Sequence, residues 1–127
     1  MSKLAQSFRD LEAYQAAFAF QQNIFNLSKK WPGEEKYALT NQVRRSSRSI
    51  EANLAEAWAK RRYPAHFLSK LTDSDGELQE SLHWIDTAFA CGYLSENDMG
   101  GLIQQAQTVG GMLGSMIRQY ESFRIHQ

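Results

Sequence analysis

Apolar residues return every three to four positions along most of this chain, and the rhythm stops at Trp31-Pro32-Gly33, before Pro64 and at Gly92. The spacing is that of a helix, and the stops fall at residues that end one. The pattern predicts four helices, over about 11–30, 37–62, 65–91 and 96–123. The clearest is the second. From Tyr37 to Arg62 there is neither Pro nor Gly, and Leu39, Val43, Ile50, Leu54 and Trp58 form one stripe, with Ser46, Ser47 and Ala57 as small fillers. A helix of that length spans roughly 35–40 Å.

The first helix carries two neighbouring stripes, with Ser7 or Asp10 as its cap. Leu11, Tyr14, Phe18 and Phe25 make one; Ala13, Ala17, Phe20, Ile24 and Leu27 make the other. At about 100° per residue they cover roughly half the circumference, more than one bundle face requires. Phe20 and Ile24 are therefore candidates for a subunit interface. Pro64 suits the first turn of helix three, and Gly92 suits its end. Phe67, Leu68, Leu71, Leu78, Leu82, Ile85 and Phe89 form its inward stripe; Trp84, Ala88 and Cys91 fall off it and are further interface candidates. Ser95 caps helix four, with Leu94 and Met99 spaced as a hydrophobic staple. Leu102, Ala106, Val109, Leu113, Met116, Ile117 and Tyr120 are its apolar positions. Gly110 and Gly114 predict either a close backbone approach or a locally weak helix, since each internal Gly costs about 1 kcal/mol against Ala. Together the elements predict an all-α, up-down four-helix bundle filling one domain over 1–127.

Composition adds limits. Hydrophobic residues make up 43% of 127, enough for a modest core. Fourteen basic and fourteen acidic side chains cancel, so RNA or DNA binding would require a local patch or patches multiplied by oligomerisation. A single cysteine, Cys91, excludes an intrachain disulfide and fits a reducing compartment. No apolar run is of bilayer length, and MSKLAQSFRDLE lacks the apolar centre of a secretory signal. The expectation is a cytoplasmic protein with no membrane contact.

Candidate chemistry is sparse. Glu80-Ser81-Leu82-His83 is one Glu-x-x-His element, whereas a di-metal bundle uses two, and Glu80 and His83 lie off the inward stripe. A metal-dependent enzyme is thus the weakest of three readings. Cys91 reads as a packed thiol, and His66 and His126 read as surface residues. No cofactor or metal set is predicted. The strongest binding candidates are Arg44, Arg45 and Arg48, followed by Lys60, Arg61 and Arg62. Arginine's planar fork suits phosphate, but arginine also suits protein interfaces. In the structural reading, Arg48 pairs with Glu51 and Glu56 with Lys60 as ordinary helix-surface pairs. Asn53, near the edge of the stripe, is expected to bond across helices to Ser74 or Gln42.

The chain also resembles the four-helix-bundle proteins encoded in intervening sequences of bacterial 23S rRNA genes. The family's opening Phe-x-x-Leu-x-x-aromatic-Gln matches Phe8, Leu11, Tyr14 and Gln15. Its centre matches Tyr37, Leu39, Gln42, Val43, Arg44, Arg45, Ser49, Ile50, Asn53, Leu54, Ala55 and Glu56. Ser74, Glu77, Leu78 and Leu82 match a later element, and Gly92-Tyr93-Leu94 the turn after helix three. Ser46 stands where the pattern has Ala, Ala57 where it has Gly, and Asp73 where it has Gly. The resemblance implies a ring-like homopentamer without an established activity. It extends to an accessory protein of diversity-generating retroelements that binds nucleic acid and a reverse transcriptase, a strongly basic protein unlike this neutral one. The leading expectation is a non-enzymatic homo-oligomeric scaffold or adaptor, partnered by itself and open to another protein. The alternative is an RNA- or DNA-binding protein.

Overall fold

The computed structural model of the protein describes residues 5–123; His126 lies outside them. Four α-helices are present: α1 (Glu12–Ser28), α2 (Asn41–Ala59), α3 (Pro64–Ala90) and α4 (Glu96–Arg118). No strand occurs among the described residues. Successive helices pack on one another, and α1 packs on α4 to close the bundle. The polar contacts fix an antiparallel course. Ser28 meets Arg44 across α1 and α2, Ser81 meets Ser46 across α2 and α3, and Asn23 meets Gln105 across α1 and α4.

In every helix a series of buried positions alternates in steps of four and three. It runs 13, 17, 20 and 24 in α1, where Gln21 and Ser28 are buried beside it, and 43, 47, 50, 54 and 57 in α2, where Ser46 and Glu51 are buried beside it. In α3 it runs 67, 71, 74, 78, 81, 85 and 88, and in α4 102, 106, 109, 113 and 116. A mean step of 3.5 keeps one seam facing its neighbours, as in coiled coils. The two stripes of α1 thereby separate. Ala13, Ala17, Phe20 and Ile24 form the inner one, and Phe18 remains 44% exposed on the other. Phe20 and Ile24, expected at a subunit interface, are instead core residues at 0% and 2% exposure. Ala88, expected beside them, is likewise fully buried because it continues the four–three alternation of α3. Trp84 is half-buried, and Cys91 is exposed just past the helix end.

The α2–α3 pair is the most closely engaged of the four. Its seam holds Ser46, Ser74 and Ser81, all fully buried. Small side chains let two helix backbones approach, and each hydroxyl must then find a partner. Ser74 Oγ donates to the carbonyl of Ile50 across the seam at 2.7 Å, and Ser46 and Ser81 share a hydrogen bond at 2.8 Å. Ser81 Oγ also lies 2.9 Å from the Glu77 carbonyl of its own helix.

The ends follow local rules. Ser7 and Asp10 make a reciprocal capping box, but around a separate 3₁₀ turn, Phe8–Asp10; α1 itself starts after Leu11 without a side-chain cap. Ser95 Oγ accepts from the Asp98 N–H at 3.0 Å and starts α4. Pro64 occupies the first turn of α3, and Gly92 stops the chain behind it with φ of 82°. Helix two is shorter than its pattern suggests. Lys36–Thr40 is a π-helical turn leading into α2, and Lys60 to Arg62 already belong to the next turn. The wider turn changes the phase of the chain, leaving Tyr37 exposed while Leu39 is buried. Gly110 makes no close backbone approach: a Cβ there would meet only Leu78 Cδ2, at an ordinary 3.5 Å, and one at Gly114 only Arg118 of its own helix. The glycines are a cost that α4 absorbs.

Leu54 has no exposed surface and belongs to the buried series of α2. Leu54→Ala is expected to lower stability by about 2–5 kcal/mol in chemical denaturation, the usual cost of an unfilled leucine site. A shift below that range would place Leu54 away from the tightly packed centre.

Candidate functional site

The arginines of α2 divide between its two flanks. Arg45 turns toward α3, where it pairs with Glu77 at 3.4 Å and with Glu80. Glu80 also accepts from Trp84 Nε1 at 3.1 Å. On the same flank Glu56 pairs with Lys70 of α3 at 2.8 Å, not with Lys60 of its own helix. That hydrogen bond holds the Glu56 carboxyl below, and the Lys70 ammonium above, their ordinary ranges. The expected Lys60 pairing gives way because Lys70 arrives from the facing helix with a direct contact.

Arg44 and Arg48 turn the other way, toward α1, and both lie over the ring of Phe25, at 4.8 and 5.5 Å. Arg44 Nε also donates to the buried Ser28 hydroxyl at 2.9 Å. Lys29 Nζ lies 4.8 Å from the centre of the same ring. The series continues along α1 as Phe18, Tyr14 and Phe8, with ring separations of 6.0 Å and 5.0 Å, and Arg9 sits over Phe8. Near the end of α2, Arg61 stacks on Trp58 at 3.5 Å and donates to the Trp58 carbonyl. The result is an outer α1–α2 face that carries a row of aromatic rings, with cations over Phe25, Phe8 and Trp58. Such contacts contribute about 0.5–2 kcal/mol each, depending on how dry they are. Among the described residues neither Arg44 nor Arg48 makes an ion pair.

Beneath this face is a residue that helix-surface pairing misplaces. Glu51 is only 5% exposed, and its Oε2 has no hydrogen-bond partner. Burial pushes its carboxyl up to about 8; its own backbone N–H, the Gln21 amide of α1 and the Arg48 charge pull less strongly the other way. It is therefore a neutral acid at pH 7, not the carboxylate half of a surface pair with Arg48. A signal was present in the sequence: Ser47, Glu51, Leu54 and Trp58 keep the four–three spacing, which places Glu51 on the inner part of α2.

The predicted polar network around Asn53 does not assemble. Asn53 Nδ2 donates to the Ser49 carbonyl of its own helix, and Gln42 Nε2 reaches the Tyr37 carbonyl at 3.5 Å. Ser74 alone of the three bridges two helices. His83 is exposed beside the Trp84 ring, and no group of three or more His, Cys, Asp or Glu among the described residues is placed to hold a metal ion. No described helix is long and apolar enough to cross a membrane.

As a class, the described residues make an all-α, four-helix chain with a row of aromatic rings and arginines along its α1–α2 face. The family model of the 23S rRNA-intervening sequence proteins matches residues 9–115, and the chain belongs to that family. It is similar in structure to a protein of unknown function of the S23 ribosomal protein family from Bacteroides thetaiotaomicron. The TM-score is 0.75 at 25% identity, over 84% of this chain and 95% of the other. No curated protein matches.

Glu51 predicts a pH dependence. A carboxyl ordinarily near 4.5 that rises to about 8 on folding keeps a proton that the unfolded chain releases. Stability is thus undiminished below pH 4.5, falls as pH rises from there through 8, and levels off above. Glu51→Gln is expected to flatten this slope in denaturation curves, with a gain on the order of a few kcal/mol at pH 9. An equally steep slope in the variant would assign the dependence to another group.

Proposed function

We propose that this protein is a non-enzymatic scaffold or adaptor that works as a homo-oligomer, with the α1–α2 face as a contact surface of the assembly. The observation that carries this reading is the exposure of Phe18 at 44% beside Tyr14 and Phe25. Aromatic and arginine side chains clustered on one surface are the composition of a protein interface. The positions of Arg44 and Arg48 also support it, since both lie over the Phe25 ring on this face. The family resemblance suggests five subunits. Exposed, unpaired Cys91 supports a reducing compartment such as the cytoplasm.

Nucleic-acid binding is the second reading, and one feature favours it. Arginines without carboxylate partners, interleaved with aromatic rings, are also the composition of a single-strand binding track.

Light scattering at micromolar concentration is expected to give a multiple of the 14.5 kDa chain mass; the mass of one chain rejects the scaffold reading. Arg44→Gln with Arg48→Gln separates the alternatives. Dissociation into single chains supports the interface. Unchanged mass with lost affinity for single-stranded RNA or DNA, and a shallower salt slope, supports nucleic-acid binding.

A further inference from the structure

The zero net charge of this protein conceals a stretch of one sign. No acidic residue occurs from 13 to 33 or from 36 to 50, segments that form most of α1 and the first half of α2. The same segments hold six Lys and Arg. Of the acids that border them, Glu35 accepts from the Tyr93 hydroxyl at 2.9 Å, and buried Glu51 is neutral at pH 7.

Three of the six cations converge. Lys29, Arg44 and Arg48 share the Phe25 ring, with their charged groups 4.8, 4.8 and 5.5 Å from its centre. Among the described residues none of the three makes an ion pair. A ring attracts a cation without cancelling its charge. The C-terminal end of α1, at Ser28, offers about half a negative charge against these three positive ones. Like charges gathered in this way repel, and an anion among them relieves the repulsion. Lys29 and Arg48 are exposed, so solvent-borne ions reach them. Arg44 is held in place, stacked on Phe25 and bonded through Nε to the buried Ser28 hydroxyl. Its two terminal nitrogens are left to donate.

The arrangement selects among anions. A carboxylate brings a single charge. A nucleic-acid strand brings one per phosphodiester and is matched by cations spread along a track. A phosphate monoester concentrates about −1.5 to −2 charges on three oxygens. Cations gathered around one ring match the last of these, and an arginine fork suits its oxygens. We infer that Lys29, Arg44 and Arg48 form a binding site for a dianionic phosphate group, free or carried as a monoester, beside the Phe25 ring. The site belongs to a single chain and goes beyond both readings of the α1–α2 face.

Nitrogen-15 NMR of the arginine Nε–H groups in the full chain at low salt tests this. Inorganic phosphate is expected to shift the Arg44 and Arg48 signals and to saturate them below about 10 mM. Sodium chloride at the same ionic strength is expected to leave them in place. Lys29→Gln and Arg48→Gln are each expected to weaken phosphate binding about tenfold, the usual loss for one charged hydrogen bond. Arg45→Gln, on the other flank and paired with Glu77 and Glu80, is expected to bind as the wild type does. Neither test variant touches the Ser28 bond, and circular dichroism confirms that each folds. Adenosine monophosphate separates the sources of the phosphate. Tighter binding than the inorganic ion assigns the site to an organic monoester, and equal or weaker binding assigns it to the free ion. Shifts that chloride reproduces, or Lys29 and Arg48 variants that bind undiminished, overturn the site. The same shifts from an oligothymidylate without a terminal phosphate overturn it in favour of strand binding. Light scattering on the same samples reads the assembly separately, so a failed site leaves the scaffold reading standing.

Discussion

The contact on which the rest depends is the serine seam between α2 and α3. Three hydroxyls, those of Ser46, Ser74 and Ser81, occupy positions that a simpler bundle fills with alanine or leucine. They trade transfer energy for short backbone separation and a fixed register. Ser74 ties its helix to the Ile50 carbonyl, and the Ser46–Ser81 bond repeats the tie nearly two turns away. Two ties along a seam oppose sliding in a way that leucines do not. Ser46 replaces the alanine of the family pattern, so one tie is a feature of this chain's own sequence. With α2 held this way, its other flank is aimed at α1, and the arginines on it have one place to go.

That flank shows why arginine suits the site better than lysine. Arg44 bonds to Ser28 through Nε and lays its guanidinium plane over Phe25 at the same time. Lysine offers a point charge and no plane. The α1–α2 face is thus built from side chains that satisfy the fold and still present charge without a carboxylate partner. Glu51 beneath them avoids an internal ion pair by staying protonated, which leaves the arginine charge undiminished at the surface.

Much of this architecture is written in residue spacing. Pro64, Gly92 and Ser95 mark their boundaries, and the Val43–Ile50–Leu54 stripe names the core of α2 without any tertiary information. What spacing alone leaves open is which of two adjacent stripes faces inward. On α1 both Ala13–Ala17–Phe20–Ile24 and Tyr14–Phe18–Phe25 are apolar, and hydrophobicity favours neither. Small residues decide it: Ala13 and Ala17 let the neighbours approach, and the bulkier aromatic stripe is left outside. The π-helical turn is equally invisible to periodicity, which counts Tyr37 to Arg62 as one helix. Partner choice is the least legible layer. Lys60 is the nearest cation to Glu56 in sequence, but Lys70 reaches it across the fold.

The proton held by Glu51 also alters how the molecule migrates. Composition places the isoelectric point near 6.8 and the formal charge at zero at pH 7, with every carboxyl ionised. A folded chain that keeps one carboxyl neutral up to about pH 8 carries one more positive charge at that point. Its native isoelectric point therefore lies above that of the denatured chain. The same polypeptide would focus at two positions, native above and denatured below, with no difference in covalent structure between them.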